Sequence, residues 1–142
     1  MRPLRFAAIA LPLVLLVLAA ATSGAGQTTA GPKTIASYCS TSGDVCYGIL
    51  NRSGKISLEL TTAARYFNRY TLCVRRLPPR STPEYAQRCG SFPVTRQSGS
   101  TWGSRVNYAR HYPLTFAGTY RVTWKLAGRA LGPALRFRLP VS

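Results

Sequence analysis

The chain has 142 residues, of which 19 are lysine or arginine and 3 are aspartate or glutamate, giving a formal charge of +16 at neutral pH. Three acids and a single histidine leave little for a paired-carboxylate active site or a histidine-rich metal centre. A field of this sign attracts polyanions and repels cations whatever the fold.

The N-terminus reads as an export signal. Met1–Arg5 is basic, Phe6–Ala21 is an uncharged apolar run, and Thr22–Gly26 supplies small residues, the three-part layout of a secretory signal peptide. Ser23 and Ala25 meet the small-x-small rule, which places cleavage after Ala25, with Ala19 and Ala21 as the alternative. The competing reading is an uncleaved anchor, because the run approaches the length of a spanning helix; Pro12 and the small-residue exit favour cleavage. The expected organisation is a signal peptide over residues 1–25, a flexible polar arm over 26–36 and one domain over 37–142. No second apolar run follows, so a released, extracellular protein without a transmembrane segment is expected. Removing residues 1–25 takes away Arg2 and Arg5 and leaves enough chain to bury an ordinary core.

Cys39, Cys46, Cys73 and Cys89 make an even set in a small exported domain, which predicts two disulfides with three connectivities open. The spacing favours neighbours: Cys39 and Cys46 flank STSGDV, and Cys73 and Cys89 flank the proline-rich VRRLPPRSTPEYAQR. Closing the longer loop is worth about 3 kcal/mol in the chain-entropy model. A zinc site fits poorly, since neither pair has CxxC spacing and His111 stands alone.

From Tyr38 onward short β-type runs alternate with turn signals. Val45–Leu50 is the first predicted strand, ended by NRSG. Lys55–Thr61 alternates, with Ile56, Leu58 and Leu60 on one face. Thr61–Phe67 reads as a crossing between sheets, with room for one helical turn. Arg69–Arg75 follows with Tyr70, Leu72 and Val74 inward, and then the proline-rich loop, expected outside the core. Cys89–Arg96 is a strand that Pro93 assigns to an edge, and Trp102–Tyr112 is a longer extended run. The last hairpin is clearest: Tyr120, Val122, Trp124 and Leu126 point one way in Gly118–Leu126, and Leu135, Phe137 and Leu139 point inward in Ala134–Leu139. Short strands with frequent turns predict an all-β antiparallel sandwich or barrel.

The stretch AGTYRVTW (Ala117–Trp124) resembles the corner and penultimate strand of immunoglobulin-like domains, where a tyrosine two residues before a core position caps the corner through its hydroxyl. Tyr120 matches that tyrosine. Val122 stands where antibody domains carry a cysteine, so the usual inter-sheet bridge is absent. The tail is also similar to that of bacterial CopC-like copper-binding domains, over about the last quarter of the exported part. The opening YCSTSGDVCYG (Tyr38–Gly48) resembles small exported proteins of GC-rich bacteria, which implies no activity. These resemblances imply an immunoglobulin-like antiparallel β-sandwich carrying the two disulfides. They also raise copper binding as a minor alternative, against which stand the single histidine, the absence of methionine beyond Met1 and the lack of a histidine near residue 26.

Catalysis finds no footing in the motifs. GSTWG (Gly99–Gly103) is not a nucleophile elbow, Asp44 sits in a turn where aspartate usually serves the backbone, and Asn51–Ser53 reads as a turn before a glycosylation acceptor. A non-enzymatic protein without a cofactor is expected. In an immunoglobulin-like sandwich the last two strands are neighbours and the Arg69–Arg75 strand lies beside them. Their outer face then carries Arg75, Arg121, Lys125, Arg136 and Arg138, with Thr71 among them, and Arg76, Arg80 and Arg88 extend it into the loop. Arginine forks suit phosphate and carboxylate. RYFNRY (Arg65–Tyr70) and NYARHY (Asn107–Tyr112) interleave bases with aromatics, as single-stranded nucleic acid or sugar binding uses. The blander account has arginine filling solvated strand positions, as GC-rich coding also favours, charge guarding edges against aggregation, and strand tyrosines serving as core. The expected function is a monomeric secreted module binding an anionic polymer at the cell surface through Arg75, Arg121, Lys125, Arg136 and Arg138. The alternative is a protein-interaction or inhibitor module using the Cys73–Cys89 loop.

Overall fold

The structure is a computed structural model describing residues 31–140. The expected signal peptide, its cleavage point and the first part of the expected arm lie outside the described residues. Ten strands run in chain order as β1 Lys33–Cys39, β2 Val45–Arg52, β3 Lys55–Thr62, β4 Arg69–Leu77, β5 Arg88–Pro93, β6 Thr95–Ser98, β7 Thr101–Asn107, β8 Gly118–Leu126, β9 Arg129–Ala130 and β10 Leu135–Leu139. One helical turn, α1 Tyr108–His111, follows β7, and a 3-10 turn covers Pro83–Tyr85. Two antiparallel sheets form, one in the order β1-β2-β3-β7-β6 and the other β10-β8-β4-β5, with β9 added to β8. From β2 to β10 this is the ABED and C′CFG strand order of an immunoglobulin-like sandwich, with β1 widening the first sheet.

Alternation explains most of these elements. Ile56, Leu58 and Leu60 of β3, Tyr70, Leu72 and Val74 of β4, and Tyr120, Val122 and Trp124 of β8 are all buried in one core cluster. The hairpin β2–β3 turns through Ser53 and Gly54, both at positive φ, and β8–β9 through Ala127 and Gly128, again both positive. Those are the two left-handed residues of a type I′ turn, whose twist matches the flanking strands.

Four features differ from the sequence expectation. Residues 33–36 do not belong to a loose arm: β1 begins at Lys33 and pairs with β2 from Lys33 opposite Asn51 to Cys39 opposite Cys46. Its own sequence has weak periodicity, and the open edge of β2 recruits it. The run over Cys89–Arg96 divides at Val94, so that β5 pairs with β4 in one sheet and β6 with β7 in the other. Buried Val94, whose N–H donates to Asn68 O (2.9 Å), marks the switch. The extended run after Trp102 stops at Asn107, whose side chain accepts from Arg110 N (3.1 Å) and caps α1. The proline-rich loop also reaches the core, because Tyr85 is only 7% exposed.

Both disulfides join neighbours, Cys39–Cys46 and Cys73–Cys89. Trp124 stacks on Tyr47 across the two sheets, with ring centroids 4.5 Å apart and planes inclined by 22°. Four of the buried tyrosines bond through their hydroxyls here: Tyr47 donates to Pro133 O, Tyr108 to Leu114 O and Tyr112 to Leu72 O, while Tyr70 pairs with Ser104 Oγ. Burial pushes the Tyr47 and Tyr70 hydroxyls up to about 12, with Tyr38 adding to the rise at Tyr47 and the Ser104 bond opposing it at Tyr70. Tyr120 Oη donates to Phe116 O at 2.7 Å, the tyrosine-corner bond that AGTYRVTW implies. Tyr120→Phe removes that bond and leaves a carbonyl short of a partner. It is expected to cost about 1 kcal/mol in urea unfolding at unchanged m-value.

Candidate anion-binding face

Burying one side of each strand fixes what the other side presents. With Tyr70, Leu72 and Val74 inward on β4, residues Thr71, Cys73 and Arg75 face out. On β8, Arg121, Thr123 and Lys125 take the outer positions, and on β10 Arg136 and Arg138 flank buried Phe137. Register then sets the rows. Arg121 lies opposite Arg75 on one side and Arg136 on the other, so three arginines run side by side across three strands. Lys125 lies opposite Thr71, Thr123 opposite Cys73, and Arg138 opposite Thr119. All five candidate residues therefore share the outer face of the β10-β8-β4-β5 sheet. Arg121, Arg136 and Arg138 are exposed, whereas Arg75 and Lys125 are half-buried.

The face is not flat. Arg75, Gln87, Arg121, Thr123, Lys125 and Cys73 line a recess of about 310 Å³, closed at one end by Gly128 and Ala130 of the β8–β9 hairpin. Arg75 Nε is buried and has no hydrogen-bond partner among the described residues. Gln87 rests its Nε2 3.5 Å from Cys89 Sγ, a weak acceptor. Sequence reading misses Gln87, Gly128 and Ala130, because their place depends on how the hairpin and the end of the loop fold over β4 and β8.

The three acids stay off this face. Asp44 is in the β1–β2 turn and Glu84 in the 3-10 turn. Glu59 lies on the outer face of the other sheet, where Arg52 grips it with two bonds (2.7 and 3.2 Å), Arg105 with one (3.1 Å) and Ser57 with another (2.8 Å). Burial raises the Glu59 carboxyl, but the bonds from Arg52 and Ser57 and the charges of Arg105 and Arg52 outweigh it and hold the group below its usual value. Glu59 thus pairs with Arg52 and Arg105 on one sheet, whereas no acid stands among the bases of the other outer face.

Not every expected base joins the face. Arg76 turns to the end of the sandwich, with its guanidinium 4.6 Å from the Tyr85 ring centre and 5.5 Å from that of Phe116, and donates to Ala117 O. Arg80 covers the same Tyr85 ring at 5.1 Å. Arg88 pairs opposite inward Val74 and so lies on the other side of β5. The aromatic patches also divide: Tyr70, Tyr108 and Tyr112 are core, and Tyr66 alone of those tyrosines is exposed, at 55%. Arg65 and Arg96 both approach Trp102, at 5.2 and 5.8 Å, a cluster that sequence spacing does not reveal. His111 ends α1 and meets the edge of Phe92. All four cysteines are in disulfides, and no three of histidine, cysteine, aspartate or glutamate come together among the described residues.

No family model, curated protein or solved structure matches the chain.

The Glu59 cluster carries a pH signature. Its folded value lies below the unfolded one of 4.5, so its contribution is present above that pH and is lost as pH falls through the folded value. Melting temperature should drop as the pH is lowered from about 5 to 3, and Glu59→Gln should flatten that drop while lowering stability at pH 7.

Proposed function

We propose that this protein is a secreted, non-enzymatic binding module that captures an anionic polymer at the cell surface through the outer face of the β10-β8-β4-β5 sheet. One observation carries the reading: Arg75, Arg121 and Arg136 stand in register on adjacent strands, with Lys125 and Arg138 beside them and no acid on that face. Like charges directly opposite one another weaken a sheet; on the other sheet Glu59 lies directly opposite Arg105 and also bonds Arg52, a compensation the open row lacks. A polyanion laid across the open row removes the repulsion and gains charge-assisted hydrogen bonds. The apolar leader at Phe6–Ala21 and the two disulfides support an extracytoplasmic site of action.

A second reading has its own observation. Tyr85, held between Arg76 and Arg80, pins the Cys73–Cys89 loop in one shape, and Phe116, 54% exposed, lies against Arg76. A pre-shaped loop with an apolar neighbour suits contact with a partner protein.

Alanine substitution separates the two. Replacing Arg121, Lys125, Arg136 and Arg138 together should weaken polyanion binding by about a hundredfold or more and reduce the slope of log affinity against log salt by about 3. A charge-matched control lacking Lys33, Lys55, Arg65 and Arg110 should lose less than tenfold. Equal losses in both variants would make the binding a property of net charge alone, and a loss confined to substitutions in Leu77–Tyr85 would favour the loop.

A further inference from the structure

We infer that the recess in the basic face is a seat for one phosphodiester group of a polymer that carries no bases, with Arg136 and Arg138, both on the β10 side of it, engaging the phosphates that follow along the chain. The inference rests on the polyanion reading above and narrows it to one chemical class.

The donor set is what narrows it. A carboxylate offers two oxygens in one plane, and a single guanidinium fork satisfies both. Here Arg75, Arg121, Lys125 and Gln87 all line one hollow, so two guanidinium-bearing residues, an ammonium-bearing one and an amide-bearing one border it from β4, β8 and the end of the loop. Donors arriving from several directions suit a tetrahedral anion, whose oxygens do not share a plane. The recess, about 310 Å³, is within the range of small-ligand sites and holds a phosphate together with the carbons esterified to it.

Two features mark the hollow as prepared for an acceptor. Arg75 Nε is buried without a partner among the described residues, where folded proteins ordinarily pair such groups. An anion oxygen placed in the recess supplies one. The Cys73–Cys89 disulfide lies beneath it, joining residues directly opposite on β4 and β5, and Cys73 is 3% exposed. That bond holds the strand carrying Arg75 in fixed relation to the chain leading to Gln87, so the donors are ordered before the ligand arrives.

The same face argues against nucleic acid. Single-strand binders stack bases on aromatic rings, and the outer positions of β4, β8 and β10 hold threonine, cysteine, leucine, arginine and lysine. The exposed tyrosine, Tyr66, is in the β3–β4 connection, off this face. A polyol-phosphate chain needs no stacking partner.

The test uses the purified protein with both disulfides formed, a poly(glycerol phosphate), a polygalacturonate of matched charge and oligo(dT) with the same number of phosphates, each titrated over the same series of salt concentrations and compared at equal salt. Poly(glycerol phosphate) should bind at least tenfold tighter than polygalacturonate and no more weakly than oligo(dT). Arg75→Lys with Arg121→Lys keeps the charge but loses the forks, and should abolish the preference for phosphate while leaving the salt slope unchanged. Arg136→Ala with Arg138→Ala should do the reverse, lowering the slope by about 1 to 2 and keeping the preference. Melting curves of both variants check that they fold; if the first pair does not fold, Gln87→Ala, at the exposed rim, takes its place and should narrow the preference. Equal affinity for the two base-free polymers, unchanged by the lysine substitutions, overturns the phosphate seat and leaves the polyanion reading standing. Tighter binding to oligo(dT) overturns the base-free assignment. Absence of binding to every polymer at physiological salt overturns both readings.

Discussion

Val74 of β4 lies opposite Val122 of β8, and both are completely buried. This pairing, extended by Leu72 opposite Trp124, is the constraint on which the rest depends. Side chains alternate along a strand, so a slip of one residue between β4 and β8 would turn Arg75 or Arg121 into the core and a valine into water. The apolar pattern of both strands forbids that slip. The in-register arginine row is therefore a consequence of core packing, with the buried residues of the central strands setting where the outer charges fall. The Cys73–Cys89 bond holds the next register, β4 against β5, in the same way.

Packing across the sandwich reinforces the constraint. Tyr47 from the first sheet stacks on Trp124 from the second and donates its hydroxyl to Pro133 O in the connection before β10. One side chain thus touches the central strand of the opposite sheet and the segment that delivers Arg136. Tyr112 does a similar job from just past the end of α1, donating to Leu72 O on β4. Tyrosine suits these places because it fills volume with its ring and satisfies a distant carbonyl with its hydroxyl. The core is consequently aromatic and pinned at its ends, which gives the outer face little freedom to rearrange.

Electrostatically, the two outer faces follow different designs on one scaffold. The β1-β2-β3-β7-β6 sheet spends its single central acid, Glu59, on two arginines and a serine. The outer face of the opposite sheet carries Arg69 together with Arg75, Arg121, Lys125, Arg136 and Arg138, and no acid. Several other guanidinium groups are occupied: Arg76 and Arg80 on Tyr85, Arg65 and Arg96 on Trp102, and, at the end of the same face, Arg69 on Ser91.

Sequence pattern makes the hairpin Gly118–Leu139, the disulfide partners and the Tyr120 corner legible, because each depends on local alternation, spacing or a short motif. Five outer bases follow from that alternation once the two sheets are assumed. Elements set by long-range pairing are not legible: β1 exists because β2 offers an edge, β5 and β6 separate because Val94 is drawn into the core, and Tyr85 folds back because Arg76 waits beside it. Gln87 enters the recess for the same reason.

The most direct measurement is an amide chemical-shift map of the folded, oxidised protein titrated with a poly(glycerol phosphate) chain. The account predicts perturbations confined to Thr71–Arg75, Thr119–Lys125, Gln87 and Arg136–Arg138, saturating together. Perturbations centred on Pro78–Tyr85, or on the β3 and β7 residues around Glu59, would contradict it.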